Sequence, residues 1–283
     1  MFAYQKIDPN LISNRVICKL DDTYHKVYDS VILSCYMTSK KDPQRHVYQP
    51  NDCFDYIKGF YESILKCDLH AVIFYDNLSD DFVLQYQTDK IIFKKCTMGE
   101  YSINDERYII YYQYLLSNHY KYVLMSDVSD VFVNANPFEL LKNDNRLFVG
   151  TNNIGEGVSI MNPKWFERRN WKLCPFNEKL KNANYDMIGY QENEIQIYNA
   201  GLIGSSYSKI MWVLTQMIGI MLIIKSRKNY NMIILNYIIN RYLLEGYDIK
   251  TFCSQHLYTG YPFNSLYLQY ESIENSKCCL FHK

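Results

Sequence analysis

YKYVLMSDVSDVFV, residues 120–133, places two carboxylates directly after a run of strand-forming residues. Residues 122–125 are aromatic or apolar, as in a strand buried inside a protein. Asp127 and Asp130 follow, and the two residues between them allow the chain to turn so that both side chains converge. Because ligands of open parallel sheets lie beyond the carboxyl ends of the strands, this segment predicts a functional site at a strand end of an α/β protein.

Strand and helix patterns alternate upstream of this segment. We expect Asp52 to cap the first helix, and Asn104 or Asp105 to cap the second. The predicted strands are residues 30–37, 70–77 and 90–96, and the predicted helices are residues 52–67 and 104–120. This alternation is typical of βαβ units and predicts a mainly parallel central sheet flanked by helices.

The pattern is looser after Pro137. The predicted strands there are residues 146–153, 194–206 (interrupted at Gly201) and 277–283, and the predicted helices are residues 208–224 and 229–244. The sequence has no repeat and no low-complexity linker. We therefore expect a single domain over residues 1–283, with a nucleotide-binding half at about 28–135 and an acceptor or sugar half at about 136–283.

Composition excludes some partners and favours a compartment. Lys plus Arg and Asp plus Glu both number 30, so the zero net charge gives no argument for nucleic acid. The nine cysteines form no C-x-x-C pair and the start lacks a signal peptide core, so we expect reduced thiols and a cytoplasmic protein. The apolar residues 210–224 are shorter than the roughly 20 residues of a membrane span, which favours a buried helix and no transmembrane segment.

The acidic pair itself indicates a metal. Hard oxygen ligands at the spacing of Asp127 and Asp130 suit Mg²⁺ or Mn²⁺, which keep open positions for water and a substrate phosphate. The alternative is structural, because Asp is common at strand ends, where its side chain satisfies turn amides.

Several segments, in the same order along the chain, resemble GT-A fold glycosyltransferases, a Rossmann-like family. Residues 120–133 are similar to the strand–DxD segment that holds Mn²⁺ and the donor diphosphate in that family. NDERYIIYYQYLL (104–116) resembles the preceding helix, which implies that Arg107 faces the nucleotide. IYNAGLIGSS (197–206) resembles the segment beside the donor sugar, and LFHK (280–283) the closing segment whose histidine, here His282, is a third metal ligand.

The resemblance covers roughly residues 30–283. TSKKDPQR (38–45), TGYPFN (259–264) and the closing HK are more narrowly similar to glycosyltransferase domains encoded by large DNA viruses, which implies the host cytoplasm as the location. The spacing here is D-x-x-D, with Ser129 at the position of the second family Asp. The metal pair is therefore Asp127 with Asp130 or Asp127 with Ser129. Asn231 stands where many relatives have an acid, which weakens any claim of a catalytic carboxylate there.

The resemblance implies further donor contacts. Thr38 and Arg45 follow the first strand, where uridine or its phosphate would lie. Asp76 would accept from the base or ribose, or else cap its own turn. Arg107 would meet the diphosphate, or else form a surface ion pair with Glu106 or a neighbour.

Other candidates surround the donor sugar and the metal. Asn199 and Gly201 are expected beside the sugar, since a glycine within a strand often marks the close approach of a ligand. Ser129 and Lys283 are expected near the phosphates. Two sets of candidates stay open: His256 rivals His282 as metal ligand, and a base for an inverting reaction could be Asp186, Glu192 or Glu194.

The expected function is a metal-dependent glycosyltransferase that moves a sugar from a nucleoside diphosphate donor, UDP-sugar first, to a hydroxyl of a glycan acceptor. Asp127, Asp130 and Asn199 are its predicted catalytic residues. A sugar-phosphate nucleotidyltransferase is one alternative, although residues 38–45 lack the glycines that its loop usually has. A catalytically inactive glycan-binding scaffold is the other.

Overall fold

A computed structural model of the protein describes residues 5–17, 28–144, 146–151, 176–183, 198–244, 246–247, 249–251 and 280–282. The strands are β1 Ser30–Tyr36, β2 Ala71–Tyr75, β3 Ile91–Lys95, β4 Tyr122–Ser126, β5 Val131–Val133, β6 Leu147–Thr151, β7 Tyr198–Ser206, β8 Ile249–Thr251 and β9 Leu280–His282. The α-helices are α1 Phe54–Lys66, α2 Asp80–Tyr86, α3 Ile103–Ser117, α4 Phe138–Asn143, α5 Asn177–Asn182, α6 Tyr207–Ile224 and α7 Asn231–Leu244. A 3₁₀ helix spans Pro9–Leu11.

The central sheet has seven strands in the order β3-β2-β1-β4-β7-β6-β8. β1, β2, β3 and β4 are parallel to their neighbours in this half, and β8 is parallel to β6. β7 runs antiparallel to both β4 and β6. The α/β class with flanking helices is confirmed, and its parallel half fits a Rossmann-like arrangement. The sheet as a whole is mixed, whereas the sequence predicted a mainly parallel one.

Two hydrophobic layers cover the two faces of the sheet. Alternate residues of β1 point to opposite faces: Val31 and Leu33 lie in the cluster with α3, α6 and α7, and Ile32 and Tyr36 lie in the cluster with α1 and α2. A strand buried on both faces is apolar along its whole length, which is why the sequence predicted β1 and β2 closely.

The predicted caps of α1 and α3 are wrong. α1 begins after Cys53, and the Asp52 carboxylate instead accepts from the backbone N–H of Ser79 at 2.9 Å. α3 begins after Ser102, whose hydroxyl accepts from the N–H of Asp105. Asp105 lies inside the first turn, and its buried carboxylate reaches the start of α7 instead, as described below.

Other differences concern short or irregular elements. β7 is one strand through Gly201, but its pairing with β6 is interrupted there: Val149 is opposite Ile203 and Gly150 is opposite Asn199, so residues 200–202 of β7 are extra in that register. The elements α2, α4, α5, β5 and β8 have no counterpart among the predictions. Each is a segment of three to seven residues, too short for a periodic pattern to stand out.

The predicted buried helix is α6. Within the described part of the chain, Tyr207–Ile224 is the one helix whose length and composition would allow a membrane crossing, and 61% of it is buried inside the protein. Ile210, Met211 and Leu214 are completely buried in the cluster that includes α3 and α7. The helix α6 therefore packs as a core helix, as predicted.

Candidate active site

The acidic segment lies where the sheet changes its winding direction. β1 is paired with β2 on one side and with β4 on the other, all parallel. The carboxyl ends of β1 and β4 therefore border one crevice, the place where open α/β sheets bind ligands. Thr38 lies just beyond β1, and Asp127 directly follows β4.

Arg107 of α3 forms an ion pair with Asp127. Its Nη1 donates to Oδ1 of Asp127, and its Nη2 donates to the carbonyl oxygen of Ala200 at 2.9 Å and to the hydroxyl of Tyr108 at 3.2 Å. The side chains are 11% and 27% exposed. Burial opposes the charge of Arg107, but the nearby groups, Asp127 first among them, together raise the pKa of the guanidinium well above its usual value. Arg107 is thus held as a cation beside Asp127.

The ion pair of Glu106 tests one of the alternatives proposed for Arg107. Glu106 pairs with Arg15 instead, with 2.6 Å between Oε1 and Nε, and its Oε2 accepts from the N–H of Tyr101 at 3.0 Å. Glu106 is completely buried, so the expected surface pair of Arg107 with Glu106 is wrong. A direct contact of Arg107 with a donor diphosphate stays a prediction.

The Asn199–Gly201 segment lies beside Asp127, and its expected position beside a donor sugar stays a prediction. The N–H of Asp127 donates to the carbonyl of Gly201 at 2.9 Å, and Ser126 is opposite Leu202 in the β4–β7 register. Within the segment, the N–H of Gly201 donates to Oδ1 of Asn199 at 2.7 Å.

A buried amide that the sequence analysis missed anchors the start of β7. Asn236 of α7 accepts from the N–H of Tyr198 and donates to its carbonyl, both at 2.9 Å. The side chain thereby imitates a neighbouring strand and fixes the residue before Asn199. Its sequence signal is an amide inside the apolar run IILNYII, residues 233–239.

Tyr56 lies in the first turn of α1, on the other side of the acidic loop. Ser129, Asp130 and Asp127 lie within electrostatic reach of its hydroxyl. Burial raises the pKa of Tyr56 above its usual value. Tyr56 is a second residue that the sequence analysis missed, because no local pattern connects it to the acidic segment.

The last described strand returns to this loop. β5 begins at Val131, one residue after Asp130, and pairs antiparallel with β9. Val131 is opposite His282 in that register, so the backbone of His282 lies beside the end of the acidic segment. The role of His282 as a third metal ligand stays a prediction.

The turn after β1 is bonded to Asp76, the residue that follows β2. Oδ1 of Asp76 accepts from the N–H of Thr38 at 2.9 Å and Oδ2 accepts from the N–H of Ser39 at 3.3 Å, so Asp76 caps the turn of the neighbouring strand, not its own. A contact of Asp76 with a base or ribose stays a prediction. The hydroxyl of Thr38 donates to Oδ1 of Asn51 at 2.9 Å. Arg45 is exposed, and its N–H donates to Oδ1 of Asp42 at 2.7 Å.

Lys40 supplies a fixed positive charge near this turn. Its Nζ donates to the carbonyl oxygens of Tyr101, at 2.9 Å, and of Gly99. Burial lowers the pKa of Lys40 from its usual value, and Glu106 acts in the opposite direction. These hydrogen bonds connect the turn after β1 to the segment that precedes α3, the helix that carries Arg107.

Asn231 has a structural role at the start of α7. It is buried, and its N–H donates to Oδ1 of Asp105 at 2.7 Å. Lys283, His256, Asp186, Glu192 and Glu194 lie outside the described residues.

The donor set at the strand end suits a hard divalent cation, although the described residues give it only two carboxylates. In the described ranges no group of three His, Cys, Asp or Glu side chains is placed to hold a metal. Asp127 and Asp130 both lie within electrostatic reach of the Tyr56 hydroxyl. Two oxygen ligands with water or phosphate in the other positions are a usual arrangement for Mg²⁺, so the residues present fit such an ion.

No protein-family model matches the sequence, and no curated protein matches it.

Proposed function

We propose that the protein is a GT-A fold, metal-dependent glycosyltransferase that moves a sugar from a nucleoside diphosphate donor, most simply a UDP-sugar, to a hydroxyl of a glycan acceptor. The observation that carries the proposal is the position of Asp127. It follows a parallel strand at the winding change of the sheet, pairs with Arg107, and has its N–H bonded to Gly201. A fixed anion in a ligand crevice is the arrangement that binding a cation with a diphosphate requires.

Mn²⁺ or Mg²⁺ would be held by Asp127 with Asp130 or Ser129, and His282 is the proposed third ligand. The bound ion would supply Lewis acid stabilisation of the departing diphosphate. Arg107 orients Asp127, and the partial burial of the pair limits the water around that carboxylate. Lys283 is proposed to contact the phosphates.

The donor itself would lie along the carboxyl edge of the sheet. Thr38, Arg45 and Asp76 border the place proposed for the nucleoside, and Lys40 adds a cation nearby. Asn199 and Gly201 are proposed to border the sugar, because their segment is bonded to Asp127 through the Gly201 carbonyl. A neutral amide there can bond sugar hydroxyls without adding charge.

One observation favours a second candidate, a catalytically inactive glycan-binding protein. Arg107 already neutralises Asp127 without a metal, so the ion pair by itself can stabilise the strand end. In that case nucleotide binding would not depend on a divalent cation.

The test is nucleotide release from a panel of UDP- and GDP-sugars with Mn²⁺, with and without glycan acceptors. We expect turnover of at least one donor, and its loss in Asp127→Ala. Glu139→Ala is the matched control, because Glu139 is an exposed acid paired with Lys142. Turnover that persists in Asp127→Ala would contradict the metal assignment, and no turnover with metal-independent UDP binding would favour the second candidate.

A further inference from the structure

The strand β7 carries a bulge beside the acidic segment. In its register with β6, Val149 is opposite Ile203 whereas Gly150 is opposite Asn199, so residues 200–202 are extra on the β7 side. A bulge bends its strand and takes residues out of the regular pairing, and bulges are common next to active sites. The bonds of the bulged residues therefore show what this irregularity holds in place.

The backbone groups of Ala200 bond to two helices. The N–H of Ala200 donates to the sulfur of Met232 in α7 at 3.1 Å. Its carbonyl oxygen accepts from Nη2 of Arg107 at 2.9 Å and from the hydroxyl of Tyr108 at 3.1 Å, both in α3. The bulge thus fixes one side of the Arg107 guanidinium, while the other side reaches Asp127.

Gly201 bonds to the acidic segment. Its carbonyl oxygen accepts from the N–H of Asp127 at 2.9 Å, and its own N–H donates to Oδ1 of Asn199 at 2.7 Å. Two consecutive carbonyls of the bulge therefore hold the two partners of one ion pair, Arg107 through Ala200 and Asp127 through Gly201. A shift of the bulge would displace both partners.

Asn236 of α7 anchors the start of the bulge. Its side chain bonds to both backbone groups of Tyr198, at 2.9 Å each, and its Nδ2 also donates to the carbonyl of Met232 at 2.7 Å. Asn236 is only 2% exposed, and a buried amide is costly unless its polar atoms are bonded. Asn236 and Met232 therefore connect one helix to the residues on either side of Asn199.

We propose that Asn236 is a positioning residue for the candidate site: from α7 it holds the bulge of β7, so that the carbonyls of Ala200 and Gly201 keep Arg107 and Asp127 beside each other. This inference rests on the proposed function, because Asp127 is the first carboxylate of the proposed cation site. Asn236 acts on the site only through β7.

Asn236→Leu removes both bonds to Tyr198 and keeps a side chain with the same branching. The first readout is Mn²⁺ affinity, from the electron paramagnetic resonance signal of free Mn²⁺ titrated with protein in the presence of UDP. The net contribution of a typical hydrogen bond corresponds to about three- to tenfold in an equilibrium constant, so we expect Mn²⁺ to bind more weakly by about that factor.

The second readout is local and needs no metal. Amide hydrogen exchange, followed by nuclear magnetic resonance, compares the N–H of Asp127 with that of Leu124 in the same strand. Asn236→Leu should speed exchange at Asp127 by about three- to tenfold relative to Leu124, because the Gly201 carbonyl that accepts from Asp127 is less firmly held. A general loss of stability would instead speed exchange at both residues alike.

Asn240→Leu is the matched control. Asn240 lies one turn after Asn236 on the same helix, and its Nδ2 donates to the carbonyl of Asn236 at 2.8 Å, a bond within the helix. Both readouts should equal those of the wild type. Met232→Leu removes the acceptor of the Ala200 N–H and keeps an apolar side chain, so it tests the same anchor if Asn236→Leu does not fold, and it should change both readouts in the same direction.

The outcomes separate this inference from the proposed function. If the wild type binds Mn²⁺ and Asn236→Leu binds it equally, or if exchange at Asp127 and Leu124 rises by the same factor, the inference is overturned while the proposed function stands. If the wild type binds no Mn²⁺ in the presence of UDP, the proposed function fails, and the role of Asn236 at a cation site fails with it.

Discussion

Arg107 of α3 bonds to Asp127 at the end of β4 and, through its other terminal nitrogen, to the Ala200 carbonyl of β7 at 2.9 Å. One guanidinium thus connects a helix to two neighbouring strands at the carboxyl edge of the sheet. The planar, forked geometry of arginine allows this double contact, whereas a lysine ammonium on its flexible stem does not reproduce it. The positions of Asp127 and of the Asn199–Gly201 segment therefore depend on the same side chain.

Arg107→Lys should lower both stability and turnover. The pair is only partly buried, so we expect a loss of about 2–3 kcal/mol in the free energy of unfolding. Misplacement of Asp127 should lower kcat/KM by about 100-fold, since a displacement near 1 Å can cost that much. Urea unfolding and nucleotide release measure the two effects.

The control for this change is Arg227→Lys, because Arg227 pairs with Glu100 at 3.5 Å and both side chains are about four-fifths exposed. This substitution should change the free energy of unfolding by less than about 0.5 kcal/mol relative to the wild type. Wild-type kinetics in Arg107→Lys would contradict the positioning role of Arg107.

Glu106→Gln should destabilise the fold through Arg15. The two side chains are 0% and 8% exposed, and Arg15 belongs to the N-terminal segment that pairs with β3 through a bridge of Val16 to Cys96. Removing the carboxylate charge leaves a buried guanidinium uncompensated, which costs about 3–5 kcal/mol. Urea unfolding measures the loss.

Glu62→Gln is the matched control for Glu106→Gln, since its pair with Lys58 is long, at 3.9 Å, and Glu62 is 55% exposed. The control should change stability by less than about 0.5 kcal/mol. Equal stability of the two variants would contradict the role of the buried pair.

Asp105 gives the fold a defined pH dependence. Its carboxylate accepts from the N–H of Tyr230 and Asn231 at the start of α7, yet burial raises its pKa to about 6. A pKa raised in the folded state means that the contribution of Asp105 is fully present below the unfolded value, near 4, and is lost as pH rises through 6. The loss amounts to at most about 3 kcal/mol.

Asp105→Asn tests this dependence by urea unfolding between pH 4 and pH 7.5. Burial lowers the pKa of His70 to about 4, and the contribution of His70 is lost as pH falls from about 6.5 towards 4, so the wild-type profile alone mixes opposite effects. The quantity to compare is therefore the free energy of unfolding of the variant minus that of the wild type. This difference should become more positive as pH rises from 4 to 7. A difference that does not change with pH would contradict the role given to Asp105.

The clearest sequence predictions are elements whose burial is nearly continuous. β1, β2 and β4 are apolar along nearly their whole length, and α6 is longer than any strand of the fold, so local composition identifies them. The pairing of β5 with β9 joins two three-residue strands from distant parts of the chain, and no local pattern encodes such a contact.

The same distinction holds in the candidate site. Asp127 was predicted because its motif is local to a strand end. The partner of Arg107 follows from how α3 packs on the sheet, and the caps at Asp52 and Asp105 were wrong because both carboxylates bond across the fold. Tertiary contacts replaced the local hydrogen bonds that those residue types usually form.

The central claim is that the acids at the end of β4 hold a divalent cation together with a nucleoside diphosphate. Isothermal calorimetry of UDP binding, with and without Mn²⁺, tests it most directly in the wild type and in Asp127→Asn. We predict that Mn²⁺ tightens UDP binding to the wild type at least tenfold, about 1.4 kcal/mol, and has no such effect on the variant. Equal UDP affinity of the wild type with and without Mn²⁺ would contradict the account.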